Sequence, residues 1–215
     1  MKFGVLGTGM VGQSIATGLA RHGHEVRLGA REAGNENAKK WAQSAGKGAS
    51  AGTFADAAKF GEIVFSATKG DAAIDALRAA GKENLKGKVL VDVSNPLDFS
   101  RGMPPTLFTA AAGDSLGERI QKEFPDAKVV KALNTINADV MIDPARIHGE
   151  NDLFICGNDK TAKERVTGIL KEFGWKNVLD LGDITGARAT EAYVLLWLRL
   201  FVTFNTPNVG IHVAR

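Results

Sequence analysis

Gly7-Thr8-Gly9-Met10-Val11-Gly12 constrains this chain more than any other stretch. It fits G-x-G-x-x-G, follows directly on the short apolar run Lys2–Leu6, and opens a segment whose apolar residues, Ile15 and Leu19, are helically spaced. A second apolar run, Glu25–Leu28, comes at the distance of a strand–helix–strand unit. In that context each glycine has its own physical reason. Gly7 permits a tight turn, Gly9 lets the backbone approach a pyrophosphate, and Gly12 lets the helix lie close to the strand. The phosphates would rest on backbone N–H groups at the positive end of the helix dipole.

The same rhythm continues. Apolar runs at Ile63–Ala67, Lys88–Val93 and Lys128–Leu133, with a weaker one at Ala49–Gly52, alternate with helical patterns at Val11–His22, Asn37–Ala45, Thr53–Phe60, Ala72–Ala80 and Ser115–Glu123. Such alternation predicts a parallel, doubly wound sheet. Runs such as Ile63-Val64-Phe65 and Val89-Leu90-Val91 lack polar alternation, as strands covered on both faces do. A strand at Leu153–Cys156, a helix at Thr161–Phe173, a strand at Asn177–Leu181 and a long helix at Ala187–Phe204 follow with no linker-like composition between. The expected fold is α/β. A Rossmann-type, doubly wound parallel sheet occupies residues 1–143, and a small C-terminal helical and αβ part, 144–215, packs on it to complete an acceptor crevice.

Residues 94–114 break the pattern. Pro96, Pro104 and Pro105 oppose both helix and strand there. A long irregular segment after a central strand of an open α/β sheet lies where ligands bind. It reads either as a flap over the site or as a surface excursion.

The end of the second strand bears on which dinucleotide is bound. NAD-specific sites carry an Asp or Glu about 20 residues past the glycines to hold the ribose 2′-OH. Here the strand ends in Gly29-Ala30-Arg31. A carboxylate would repel a 2′-phosphate, whereas a guanidinium grips it through paired charge-assisted bonds and stacks on adenine. Arg31 therefore argues for NADP over NAD, with Glu32 as the counterweight. Asn35, Asn37 and Lys39 are candidates to support the phosphate. The nicotinamide half should cross the strand ends Ser66-Ala67-Thr68-Lys69, Ser94-Asn95-Pro96 and Asn134-Thr135-Ile136-Asn137-Ala138, all small or polar. Ser66, Lys69, Asn95 and Asn137 are taken from these as cofactor-binding candidates.

No side chain stands out as an acid or base. A reductase of alcohols or carbonyls normally needs a proton relay from His, Lys or Tyr. His22 and His24 fall in the turn before the second strand, His148 near the 143–144 boundary and His212 near the end. Tyr193 lies on the last helix, Lys131 within a strand, and Cys156 in an apolar run. Neither G-x-S-x-G nor H-E-x-x-H occurs, and no metal site is expected. Hydride transfer between two flat rings fits this lack, since it asks mainly that the rings be stacked face to face.

Composition removes other classes. With 27 basic and 24 acidic residues the net charge is +3, far from a nucleic-acid-binding balance. One cysteine excludes an internal disulfide framework. The first apolar run is interrupted by Gly4, whereas a secretory h-region needs roughly 7–15 apolar residues. Ala192–Phe204 is broken by Arg199 and falls short of the about 20 residues that span a bilayer. The expectation is a soluble, cytoplasmic protein with a small-molecule acceptor, no nucleic-acid or membrane partner, and a homodimer if the apolar last helix is not covered within one chain.

Taken together, Gly7–Gly12, Gly29-Ala30-Arg31, Lys131-Ala132-Leu133-Asn134-Thr135-Ile136, Asp180-Leu181-Gly182, Ala187-Arg188-Ala189-Thr190-Glu191 and the closing Asn208–Arg215 resemble the coenzyme F420-dependent NADP oxidoreductase family. The cytosolic domain of six-transmembrane ferric reductases shares the pattern. The resemblance implies an NADP-dependent oxidoreductase in which nicotinamide exchanges a hydride with a deazaflavin, coenzyme F420, or else a flavin. It also implies that Thr8, Met10, Val11, Ala30 and Arg31, with Asn35, bind the adenosine and pyrophosphate, and that Ala67, Thr68, Ala73 and Ala138 line the nicotinamide. Ala30 stands where a serine is common, and Thr68-Lys69 where the wall is usually more apolar. Two other readings remain: a reductase of a small imine, quinone or carbonyl, and a redox sensor that binds NADP(H) without turnover.

Overall fold

The computed structural model describes Met1 to Ala214. In β1 (Lys2–Leu6) every residue after Lys2 is buried. Helix α1 (Met10–Arg21) buries the stripe Gly12, Ile15, Ala16, Gly18 and Leu19. β2 (Glu25–Ala30) then returns parallel to β1, with Phe3 opposite Val26 and Leu6 opposite Gly29. The alternation continues through α2 (Glu36–Ala45), β3 (Ala49–Thr53), α3 (Phe54–Phe60), β4 (Ile63–Ser66), α4 (Ala73–Ala80), α5 (Lys82–Leu85) and β5 (Val89–Asp92). Beyond it lie β6 (Leu97–Asp98), β7 (Thr106–Leu107), α6 (Leu116–Glu123), β8 (Lys128–Ala132) and α7 (Ala138–Met141). The chain ends with β9 (Asp152–Gly157), α8 (Lys160–Glu172), β10 (Asn177–Asp180) and α9 (Ala187–Phe204). Local chemistry fixes several helix starts. Asn35, Asp159, Thr53 and Ser115 accept from first-turn N–H groups, the last two in reciprocal boxes with Asp56 and Glu118.

One sheet of eight strands runs in the order β10-β9-β8-β5-β4-β1-β2-β3. From β1 the chain steps outward to β3 on one side, and through β4 to β5 and β8 on the other. The crevice of an open α/β sheet forms at that reversal, past the carboxyl ends of the strands. One face packs Phe3, Ile15, Leu28, Trp41, Phe65 and Leu170. The other packs Leu6, Phe54, Leu77, Leu90, Ile120 and Phe124. With both faces covered, the central strands need no polar alternation.

Sequence and structure differ in three places. β9 runs antiparallel to β8, with Val130 opposite Gly157 and Ala132 opposite Ile155, and β10 is parallel to β9. The sheet is therefore mostly rather than wholly parallel. The link from β8 to β9 consists of α7 and a 3₁₀ turn at Pro144–Arg146. Helices α5 and α7 have four residues each, too few to show a period. The segment after β5 contains an antiparallel ribbon, Leu97 opposite Leu107, and a 3₁₀ turn at Ala110–Ala112. Phe99 and Met103, between the ribbon strands, are 54% and 62% exposed. No helix among the described residues is long and apolar enough to cross a membrane.

Candidate functional site

The glycine turn does what its spacing predicts. Gly7 has φ +120°, a conformation side-chain-bearing residues rarely adopt, and its N–H donates to the Gly29 carbonyl at 3.0 Å. A Cβ on Gly12 would overlap the Gly7 carbonyl, so helix and strand meet at a distance only glycine allows. A Cβ on Gly9 would meet nothing within 4 Å. Gly9 therefore faces open space that the fold itself does not need.

The start of α1 is left bare. Its N-cap is Gly9, with no side-chain cap and no acidic residue in the first turn. Gln13 Nε2 donates to the Thr8 carbonyl at 2.8 Å and fixes the turn without covering those N–H groups. The first N–H groups of a helix lack intrahelical partners, and the dipole makes that end positive. Met10 is 71% exposed beside it and Val11 is half-buried. A helix start of this kind suits an anion.

At the end of β2, Ala30 is buried and Arg31 is exposed. The Arg31 guanidinium makes no hydrogen bond or ion pair with the described residues, and neither does the adjacent Glu32. Asn35 spends its carbonyl oxygen capping α2, accepting from Ala38 N at 3.1 Å. Lys39 forms an exposed pair with Glu36 at 3.5 Å, and its Nζ is 3.4 Å from where a Gly34 Cβ would lie. Arg31 is thus an exposed cation without a partner among the described residues, at the end of β2.

The strand ends meet along one edge. A Cβ on Gly7 would crowd the Ala67 carbonyl, so the glycine turn and the end of β4 are in contact. Gly70 packs as closely on the Asn95 carbonyl. Asn95 Nδ2 donates to the Asn134 carbonyl at 2.7 Å, and Asn134 Nδ2 donates to Asn95 Oδ1 at 2.9 Å. Leu133, just past β8, takes φ +65°. For a bulky side chain this is an outlier of the kind that clusters at functional sites. Ser66 Oγ, Thr68 Oγ1 and Asn134 Oδ1 are buried with no partner among the described residues. Buried polar atoms are normally satisfied, so these three suit a ligand amide or carbonyl. Lys69 is exposed at the rim. Ala73 and Ala138 are buried at the starts of α4 and α7, Ala73 within the core of its face. Asn137 caps α7, accepting from Asp139 N at 3.0 Å. The edge therefore brings together residues 66–68, 95 and 134, with Ala73 and Ala138 buried at the helix starts.

Sequence reasoning passed over the most unusual group. Lys131 is fully buried, and its Nζ donates to Asp92 Oδ2 at 2.8 Å, the Ser94 carbonyl at 2.6 Å and Glu191 Oε1 at 2.8 Å. Burial works against the ammonium, but Asp92 and Glu191 outweigh it and hold the Lys131 pKa above its ordinary value. A basic residue inside an apolar strand and an acidic one at the inner face of an apolar helix were the available signal.

Several other titratable groups are buried or paired within the fold. Burial pushes the Cys156 thiol up to about 12 and the Tyr193 phenol above its ordinary value. His24 pairs with Glu172 at 2.7 Å, and His212 lies between Glu150 and Asp152 at 3.2 and 3.3 Å. No group of three or more His, Cys, Asp or Glu among the described residues is arranged to hold a metal ion. Asp152 N donates to the Ile211 carbonyl and Trp197 Nε1 to the Val209 carbonyl, so the segment after α9 folds back onto the start of β9.

Comparison with known proteins bears on these features. The sequence model of the family described as NADP oxidoreductase, coenzyme F420-dependent, matches residues 2–96. The chain is 29% identical over 224 residues to the F420-dependent NADP reductase of Methanocaldococcus jannaschii, covering 99% of this chain and 98% of that one. It is 31% identical over 208 residues to the metalloreductase STEAP3 of Rattus norvegicus, covering 97% of this chain but 38% of that one. A crystal structure from Arthrobacter sp. FB24, provisionally assigned as an F420-dependent NADP-reductase, is 47% identical over 100% of both chains, with a TM-score of 0.94.

Proposed function

The chain belongs to the coenzyme F420-dependent NADP oxidoreductase family, and from that premise we propose that it passes a hydride between NADP(H) and the deazaflavin coenzyme F420. It is an NADP-dependent oxidoreductase. The observation that carries the cofactor half is the bare α1 N-terminus, open above Gly9, beside an unpaired Arg31. The residues present fit the dinucleotide: N–H groups of the 7–12 turn for the diphosphate, Arg31 for the 2′-phosphate, and the unsatisfied Ser66 and Thr68 hydroxyls for the nicotinamide end. When bound, the cofactor supplies the hydride from its nicotinamide ring.

The protein's own task is then orientation and exclusion of water. Residues 1–143 hold the dinucleotide. The part from 144 on, with segment 94–114, closes the crevice around a flat acceptor. Stacking two rings at contact distance needs no side-chain acid. The acceptor is a soluble coenzyme, so the reading puts the protein in the cytoplasm. Anaerobic stopped-flow mixing with NADPH tests the acceptor. Coenzyme F420 should be bleached on the turnover timescale and FMN more slowly. Reduction of FMN or an imine with none of F420 would overturn the assignment.

A second copy of the chain is part of this reading. Among the α9 residues only Ala187, Thr190, Glu191 and Val194 are buried, and none of them lies beyond Val194. Leu195, Leu196, Phe201, Val202 and Phe204 are exposed. An apolar face of this kind marks an interaction surface. Light scattering should give twice the chain mass, and Leu196→Glu with Val202→Glu should give the monomer. A wild-type monomer at micromolar concentration would contradict the pairing.

A further inference from the structure

We infer that the buried cluster Lys131–Asp92–Glu191 is a positioning device for the acceptor side of the crevice, fixing both roots of the 94–114 segment against α9. The inference rests on the proposed reaction for its kinetic readout only. Lys131 Nζ donates to the carbonyl of Ser94, the first residue of the segment. Asp92 Oδ1 accepts from Ser94 N at 3.1 Å and Ser94 Oγ at 2.6 Å. At the other root, Glu191 Oε2 accepts from Leu116 N at 2.8 Å and Oε1 from Gly117 N at 3.0 Å. One ammonium therefore joins β5, β8, α9 and the start of α6. Around that second root, Arg119 is bidentate on Asp114 and Arg188 is bidentate on Glu118.

Stability alone does not explain such a group. Two carboxylates and one ammonium in a dry core carry net negative charge, and well-packed apolar residues of similar volume are often at least as stable. What the charges add is directional contact with backbone. Ser94 leads straight into Asn95, whose amide is locked to Asn134 at the site edge. The segment is thus pinned at residues 94 and 116 while Phe99 and Met103 stay exposed between. With its ends fixed, the crevice has a set width. A displacement of about 1 Å costs on the order of 100-fold in rate where two reacting groups must be aligned.

Glu191→Gln, nearly isosteric, is the test variant. It should leave NADPH affinity within about twofold, since the cradle and Arg31 are not part of the cluster, and should lower kcat with the acceptor by about 10–100-fold. Hydrogen exchange should rise in residues 95–115 and stay unchanged in 7–12. The exchange readout needs no turnover, so it stands even if the acceptor is not F420. Should the single variant fail to fold, Lys131→Met combined with Glu191→Gln removes one charge of each sign and is read on the same scale. A folded variant with wild-type kcat and unchanged exchange in 95–115 would overturn the proposal, as would equal loss of NADPH binding.

Discussion

Replacing Arg31 with glutamate is expected to weaken NADPH binding by at least about 100-fold while NADH binding changes by no more than about threefold. Hydrogen bonds to a charged group are worth about 1.5–3 kcal/mol each, and about 1.4 kcal/mol is tenfold in affinity. Losing the guanidinium alone therefore accounts for roughly 10–100-fold. A carboxylate beside a 2′-phosphate adds repulsion, and it supplies the acceptor that an unphosphorylated ribose uses. Arg31 is exposed and has no partner among the described residues, so the fold should not notice the change. Fluorescence titration with both nucleotides checks it. Equal losses for both would move the phosphate grip away from Arg31.

Gly9→Val should instead abolish binding of both nucleotides and leave the protein folded. The Gly9 backbone sits at φ −78°, ψ −176°, which valine adopts freely, and its side chain would enter open space. The expected cost in stability is about 1 kcal/mol or less, from a poorer N-cap. The branched side chain would occupy the volume a diphosphate needs, raising both dissociation constants by about 100-fold or more. Gly12→Ala makes the contrast. Its methyl overlaps the Gly7 carbonyl, so it should cost about 1–3 kcal/mol of stability by overpacking. Thermal melts with titrations separate the two. A Gly9→Val protein that binds NADPH normally would remove the cradle from the account.

These two residues also mark how far the sequence is legible. β1, α1 and β2 could be read closely because the glycine spacing has few structural solutions and apolar runs flank it. Helices α3 and α6 were readable from their apolar pattern over Thr53–Phe60 and Ser115–Glu123, and the structure shows that reciprocal caps, Thr53 with Asp56 and Ser115 with Glu118, fix where they start. The antiparallel course of β9 was not legible, since an apolar run carries no direction and strand pairing is a matter of tertiary packing. Nor was the Lys131 cluster. Its members lie 39 and 60 residues apart in sequence, and a single charge inside an apolar strand or helix does not say which distant residue it pairs with. At the site, the turn and Arg31 were readable from local chemistry. Asn134 was not singled out because its meaning lies in a pairing with Asn95.

In the proposed function a backbone cradle holds the diphosphate while one guanidinium selects the phosphorylated ribose. Calorimetric titration of the unaltered protein with NADPH and with NADH tests it most directly. Saturable binding of both is expected, with NADPH at least about tenfold tighter and most of that margin present in 2′,5′-ADP against 5′-AMP. NADH binding as tightly as NADPH, or no binding of either, would contradict it.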